Sequence, residues 1–158
     1  MVEEKNHEGL GGWLLLVWLG IIITPLKIIV TLFPIYKEMF TNGLLQALTT
    51  PGTEAYNPIL ATLVIGERTI NGGLVLAWIF IAFLFFSKKK LFPKWYISIL
   101  LFNVAFILID TLAIQLVFPD EPAFDAETTQ EFVRSLIVAL IWVPYMLVSK
   151  RVKATFVK

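Results

Sequence analysis

Four long, nearly unbroken apolar stretches constrain this chain more than any other feature. A hydrocarbon layer about 30 Å thick is crossed by a helix of about 20 apolar residues, and the stretches at 11–33, 58–86, 95–118 and 129–148 all reach that length. Interruptions are few: Lys27 in the first, Asn103, Asp110 and Gln115 in the third, Arg134 in the fourth. The second reads as one long tilted helix opened by Asn57-Pro58, an N-cap residue followed by proline at the first helical position. Glu67 and Arg68 then fall toward its outer third. A re-entrant piece followed by a minimal span over 69–86 is the alternative.

Composition says what covers these stretches. Hydrophobic residues make up 58% of the 158 residues and charged residues 16%, with a mean hydropathy of +0.79. Soluble domains carry about 25% charge and 45–50% apolar residues, so a soluble core of this size has no room for so much apolar surface. Barrel strands are excluded, because they are about ten residues long and alternate in polarity. Unpaired backbone is costly in lipid, which leaves helices. The expected fold is an all-α integral membrane protein, a four-helix transmembrane bundle.

The connections differ in charge. Residues 87–94 are short and basic, with Lys88, Lys89, Lys90 and Lys94, and residues 119–128 are short and acidic. The longer segment 34–57 carries Tyr36, Met39, Phe40, Leu44 and Leu48 at helical spacing. It suits either an amphipathic helix on the outer membrane surface or a cap on the bundle. Residues 1–10 and 149–158 are polar tails. The acidic tail before the first span is the wrong sign for a signal peptide and no small-residue cleavage site follows, so the first helix is expected to stay.

Lysine and arginine set the orientation. Lys5, Lys88, Lys89, Lys90, Lys94, Lys150, Arg151, Lys153 and Lys158 share one side, nine against the three of Lys37, Arg68 and Arg134. Both termini are therefore expected in the cytoplasm, N-in and C-in. The Lys88–Lys90 and Lys150–Lys153 clusters, with Arg151, would lie among anionic lipid headgroups. The net charge of +1 gives no reason to expect nucleic acid as a partner.

Several chemistries drop out. The absence of cysteine excludes disulfides and thiolate sites, and the single histidine, His7, lacks companions for a metal site and reads as a solvated tail residue. No metal or cofactor is expected. No activated nucleophile or phosphate loop accompanies the carboxylates, which argues against an enzyme.

The polar residues inside the spans invite a functional reading. Counted from the basic side at 1.5 Å per residue, Lys27, Asn71, Asp110 and Arg134 all lie about 22–24 Å in, one on each helix. Glu67 is one turn further out, on the same face as Asn71. Charges at such depth need partners or water. Asp110 between Lys27 and Arg134, with Glu67 balancing the second cation, would form a polar ring facing the bundle interior. Snorkelling of Lys27 and Arg134 to the headgroups, with Asp110 locking helix register, accounts for the same residues structurally. Gly73 with Ala77, and Ser135 with Ala139, are small pairs that permit close helix packing.

Several segments resemble a known family. Gly11-Gly12-Trp13-Leu14 and Thr24-Pro25-Leu26-Lys27 resemble the first helix of a bacterial inner-membrane family filed as domain of unknown function 2569. Glu67 with Asn71, Phe92-Pro93, Asp110, Arg134-Ser135-Leu136-Ile137, Ile141-Trp142-Val143-Pro144-Tyr145 and the segment 149–156 are similar to it too. The family pattern has serine and arginine where this chain has Thr24 and Lys27; lysine keeps the charge but loses the bidentate fork. The resemblance implies a four-span bacterial membrane protein and no particular activity. The expected role is non-enzymatic binding of a small polar ligand, lipid headgroup or partner helix by Lys27, Glu67, Asn71, Asp110 and Arg134. The alternatives are a small transporter working as a homodimer and a purely structural charge cluster.

Overall fold

A computed structural model describes residues 9–120 and 122–158; the tail with Lys5 and His7, and Glu121 of the acidic connection, lie outside the described residues. Six helices run in order: α1 Leu14–Thr41, α2 Leu44–Thr49, α3 Pro58–Phe86, α4 Phe92–Val117, α5 Ala126–Val148 and α6 Lys150–Thr155. Four of them, α1, α3, α4 and α5, are long and apolar enough to cross a membrane. The chain is thus an all-α, four-helix transmembrane bundle. At 29 residues α3 is about 43 Å long, so its ends reach beyond a hydrocarbon layer of about 30 Å.

Local chemistry sets the helix ends. Asn57 Oδ1 accepts a hydrogen bond from the Leu60 amide at 3.0 Å and opens α3 ahead of Pro58. Asp125 Oδ1 does the same for the Thr128 amide at 2.7 Å, so α5 starts at Ala126 rather than at 129. Pro93 sits in the first turn of α4, where a missing N–H costs nothing, and the helix begins at Phe92 instead of Trp95.

Helix α1 continues past the expected end at residue 33, through Pro34, to Thr41. Proline removes one intrahelical hydrogen bond, but contacts beyond it compensate. Met39 is buried, and the Tyr36 hydroxyl donates to the Arg68 carbonyl of α3 at 2.6 Å. The segment 34–57 therefore divides between this extension and the short α2, whose Leu48 is buried where α2 packs on α1 and α3.

The long helices pack in sequence, α1 on α3, α3 on α4 and α4 on α5. Their outward surface stays apolar: Val30 is 72% exposed, Leu116 84% and Val148 71%. Only a bilayer covers such a surface without cost. The shared core occupies one half of the bundle, where Val17, Ile21, Trp78, Phe85, Tyr96 and Met146 meet. At that end the start of α1, the α3–α4 turn and the tail converge. Thr155 Oγ1 donates to the Gly9 carbonyl at 3.2 Å, and Arg151 lies against the Gly11-Gly12 backbone. All the described lysines of residues 88–94 and 150–158 gather there, making a basic end. The opposite, acidic end holds the α1–α3 and α4–α5 connections, with Glu54, Asp120 and Asp125.

Candidate functional site

The core-facing stripe of α3 changes character along its length. In the basic half it carries Leu74, Trp78 and Ile81, all buried. At 100° per residue, Glu67 and Asn71 fall within about 60° of Leu74 on the same face. So the line that builds the hydrophobic core near the basic end becomes polar toward the acidic end.

The cation that meets this stripe is Arg68. Its Nη1 pairs with Glu67 Oε1 at 2.9 Å, and the two side chains are only 18% and 22% exposed. Adjacent residues on a helix normally point apart, so the long arginine stem bends back to bring its guanidinium toward the bundle axis. Asn71 Nδ2 donates to the same Glu67 oxygen at 3.4 Å. Arg68 Nε is buried with no hydrogen-bond partner among the described residues. Tyr36 ties this turn to α1 through the Arg68 carbonyl.

Asp110 on α4 is half-buried and close enough to Arg68 to feel its charge. Glu131 on α5 is near enough to repel both Glu67 and Asp110. Three helices thus contribute one carboxylate each to the neighbourhood of Arg68, where Glu67 alone engages it and Glu131 is exposed. Glu131, Asp110 and Glu67 stand five, seven and nine residues from the acidic ends of their helices, roughly 7–14 Å along the axis. No hydrogen bond or ion pair joins Asp110 to another side chain among the described residues.

Lys27 and Arg134 do not join this cluster. Both are exposed on the bundle's outer surface and neither forms an ion pair among the described residues. Depth along a helix follows from its rise, whereas direction follows from its turn of 100° per residue. Lys27 lies about 140° round α1 from the buried line of Leu14, Ile21 and Leu32, and Arg134 about 140° round α5 from Ala139. The expected ring with Asp110 between these two cations is therefore not formed, and their stems are placed to snorkel instead.

Sequence reasoning placed Glu67, Asn71 and Asp110 but missed Arg68, Tyr36 and Glu131. From the sequence Arg68 reads only as an outer-side basic residue of α3, and Glu67 as the balance for Lys27 or Arg134. Glu131 could have been found from its spacing with Ser135 and Ala139, which continue its stripe at i+4 and i+8. No group of three or more histidine, aspartate or glutamate side chains among the described residues is disposed to hold a metal ion.

The apolar recesses of the surface lie elsewhere. One of about 630 Å³ runs along α4 beside Leu112 and Leu116. Another of about 420 Å³ lies between α3 and α4 beside Gly73, Ala77 and Phe102. Gly73 has open space where a side chain would be, so the Gly73–Ala77 pair faces this groove rather than a packed helix.

Neither a curated protein nor a solved structure matches the chain. A family match does cover nearly all of it, including every residue of the cluster. Over residues 7–157 the chain matches, and belongs to, the family described as protein of unknown function DUF2569.

Proposed function

We propose that this chain is a non-enzymatic, multi-pass protein of a bacterial inner membrane that binds a small organic cation at the cluster near its acidic end. One observation carries the reading: half-buried Asp110 lacks a side-chain partner among the described residues while Arg68 is held by Glu67. Asp110 and the exposed Glu131 lie within electrostatic reach of the Glu67–Arg68 pair, so carboxylates outnumber cations there. Such an excess of negative charge is costly without water or a cation. An ammonium group offsets it and donates up to three hydrogen bonds. The described carboxylates do not converge as a metal-ligand set, which favours an organic cation over a bare metal ion.

A helix-locking role is less well supported. The cluster's partnered side-chain contacts stay within α3, apart from the Tyr36 link to α1. The excess of basic residues at the end holding the tail supports an orientation with that end on the cytoplasmic side, N-in and C-in.

The test uses the full chain in phosphatidylcholine nanodiscs, with thermal unfolding followed during titration with ethanolamine or spermidine. Ethylene glycol and acetate serve as uncharged and anionic controls. A saturable rise in Tm with an amine, lost in Asp110→Asn and kept in Lys27→Gln, is the expected result. Equal shifts with amine and glycol, or an unchanged amine response in Asp110→Asn, would sink the proposal.

A further inference from the structure

The basic end carries a second surface, independent of the acidic-end cluster. The runs Lys88–Lys90 and Lys150–Lys153 are about sixty residues apart in sequence, yet the fold makes them neighbours. Phe156, just after α6, is buried and stacks on Phe92 at 4.4 Å between ring centroids, with Phe85 at 5.7 Å. Val152 and Thr155 are buried beside it. Two main-chain hydrogen bonds close the join: Lys90 N–H donates to the Lys158 carbonyl at 2.7 Å, and Lys158 N–H donates to the Lys88 carbonyl at 3.2 Å.

Together these elements present Lys88, Lys89, Lys90, Lys94, Lys150, Arg151, Lys153 and Lys158 on one end of the bundle, and all but Lys88 and Arg151 are exposed. No aspartate or glutamate among the described residues lies at that end, and the one ion pair found among them is Arg68 with Glu67. Among the described residues these cations therefore have no acidic side chain beside them. The backbone adds a second observation. Lys88 has φ +51° at the αL position of the turn that ends α3, with Lys88 N–H on the Phe85 carbonyl and Lys89 N–H on the Leu84 carbonyl. Glycine meets that geometry without strain, so a lysine there spends stability to put a cation at the join. Exposed Trp13 and Trp95 flank the same end, as aromatic residues do at headgroup level.

We propose that the docked tail and the α3–α4 turn form a single platform that binds the phosphates of anionic phospholipids in the adjoining leaflet. Its position at the ends of four membrane spans brings it level with lipid phosphates, which favours a bilayer over nucleic acid as the source of those phosphates.

The test measures lipid retention by native mass spectrometry on the full chain in an uncharged detergent, with phosphatidylglycerol, phosphatidylcholine and a single-stranded DNA oligonucleotide as probes. Phosphatidylglycerol is expected to bind at least about tenfold more tightly than phosphatidylcholine, with the preference falling as salt rises. Lys88→Gln/Lys89→Gln/Lys90→Gln and Lys150→Gln/Lys153→Gln, all changes of exposed side chains except half-buried Lys88, should each remove most of that preference, because both halves serve one site. Phe156→Ala keeps every cation but undocks the tail, and should lower the preference similarly where circular dichroism shows the bundle intact. Equal binding of the two lipids overturns the proposal. So does a preference halved by each set of lysine changes, which means two separate clusters, or displacement of phosphatidylglycerol by DNA at equal phosphate concentration.

Discussion

Arg68→Met interrogates the acidic-end cluster most directly. The pair it belongs to is four-fifths removed from solvent, at 18% and 22% exposure. Removing the cation leaves Glu67 facing the charges of Asp110 and Glu131. Stranding one member of a buried pair costs about 3–5 kcal/mol, and the remaining exposure places this case at the lower end, about 3 kcal/mol. Glu67→Gln should cost less, about 1–2 kcal/mol, because Asp110 still faces the guanidinium. The double change removes both charges and the partnerless Nε of Arg68. Its cost should therefore fall to about 1 kcal/mol or below, as when a buried pair is replaced by apolar or neutral groups. The coupling between the two positions is then at least about 3 kcal/mol, well above the scatter expected of independent sites. Unfolding of the full chain in mixed micelles, driven by added SDS and followed by far-UV circular dichroism, measures all four corners of the cycle. Additive costs, with the double variant as unstable as the two singles combined, would refute the pairing and the electrostatic picture built on it.

Further outcomes follow from single contacts. Tyr36→Phe removes the hydrogen bond to the Arg68 carbonyl and should cost about 1 kcal/mol, with faster amide exchange over residues 36–41; unchanged exchange there would mean that the α1 extension is held by Met39 alone. Lys88→Gly relieves αL strain and should stabilise the bundle by about 1 kcal/mol while weakening phosphatidylglycerol binding. A loss of stability would contradict the turn geometry. Asp125 accepts the Thr128 backbone N–H, which holds its carboxyl below the ordinary value of 3.8. Because the folded value is the lower one, the cap's contribution is complete above that ordinary value and is lost as pH falls through the folded one. Asp125→Ala should accordingly speed exchange at Thr128 and Thr129 at neutral pH, and differ little from the parent in strong acid. The chain has no cysteine, so single cysteines placed at Lys90 and Asp120 can be labelled in intact cells without background. An impermeant maleimide should reach position 120 and spare position 90; the reverse pattern would invert the proposed topology.

Much of the fold was legible because a bilayer tolerates so few solutions. Apolar runs of helical length had to become helices, and Asn57-Pro58 marked the start of α3. The passage of α1 through Pro34 was not legible. A proline in a span boundary normally signals an end, and the contacts that override it come from residues of α3 far away in sequence. For the cluster, the spacing of Glu67 and Asn71 was readable within one helix, whereas the cation of Glu67 was not, because only the packed bundle turns Lys27 and Arg134 outward and leaves the pairing to Arg68 of the same helix.

The sequence by itself determined four spans, the Asn57-Pro58 start of α3 and the order of polar residues along each helix, since length and rise are properties of a single helix. Direction was decided by tertiary packing. Once Leu14, Ile21 and Leu32 faced inward on α1, and Ala139 on α5, Lys27 and Arg134 had to face lipid, and the guanidinium of Arg68 took the interior place. The same packing folded the tail onto Phe92 and joined two distant basic runs into one surface. Rise is local to a helix, but azimuth becomes meaningful only against a neighbour, so partners across helices are set by the assembled bundle.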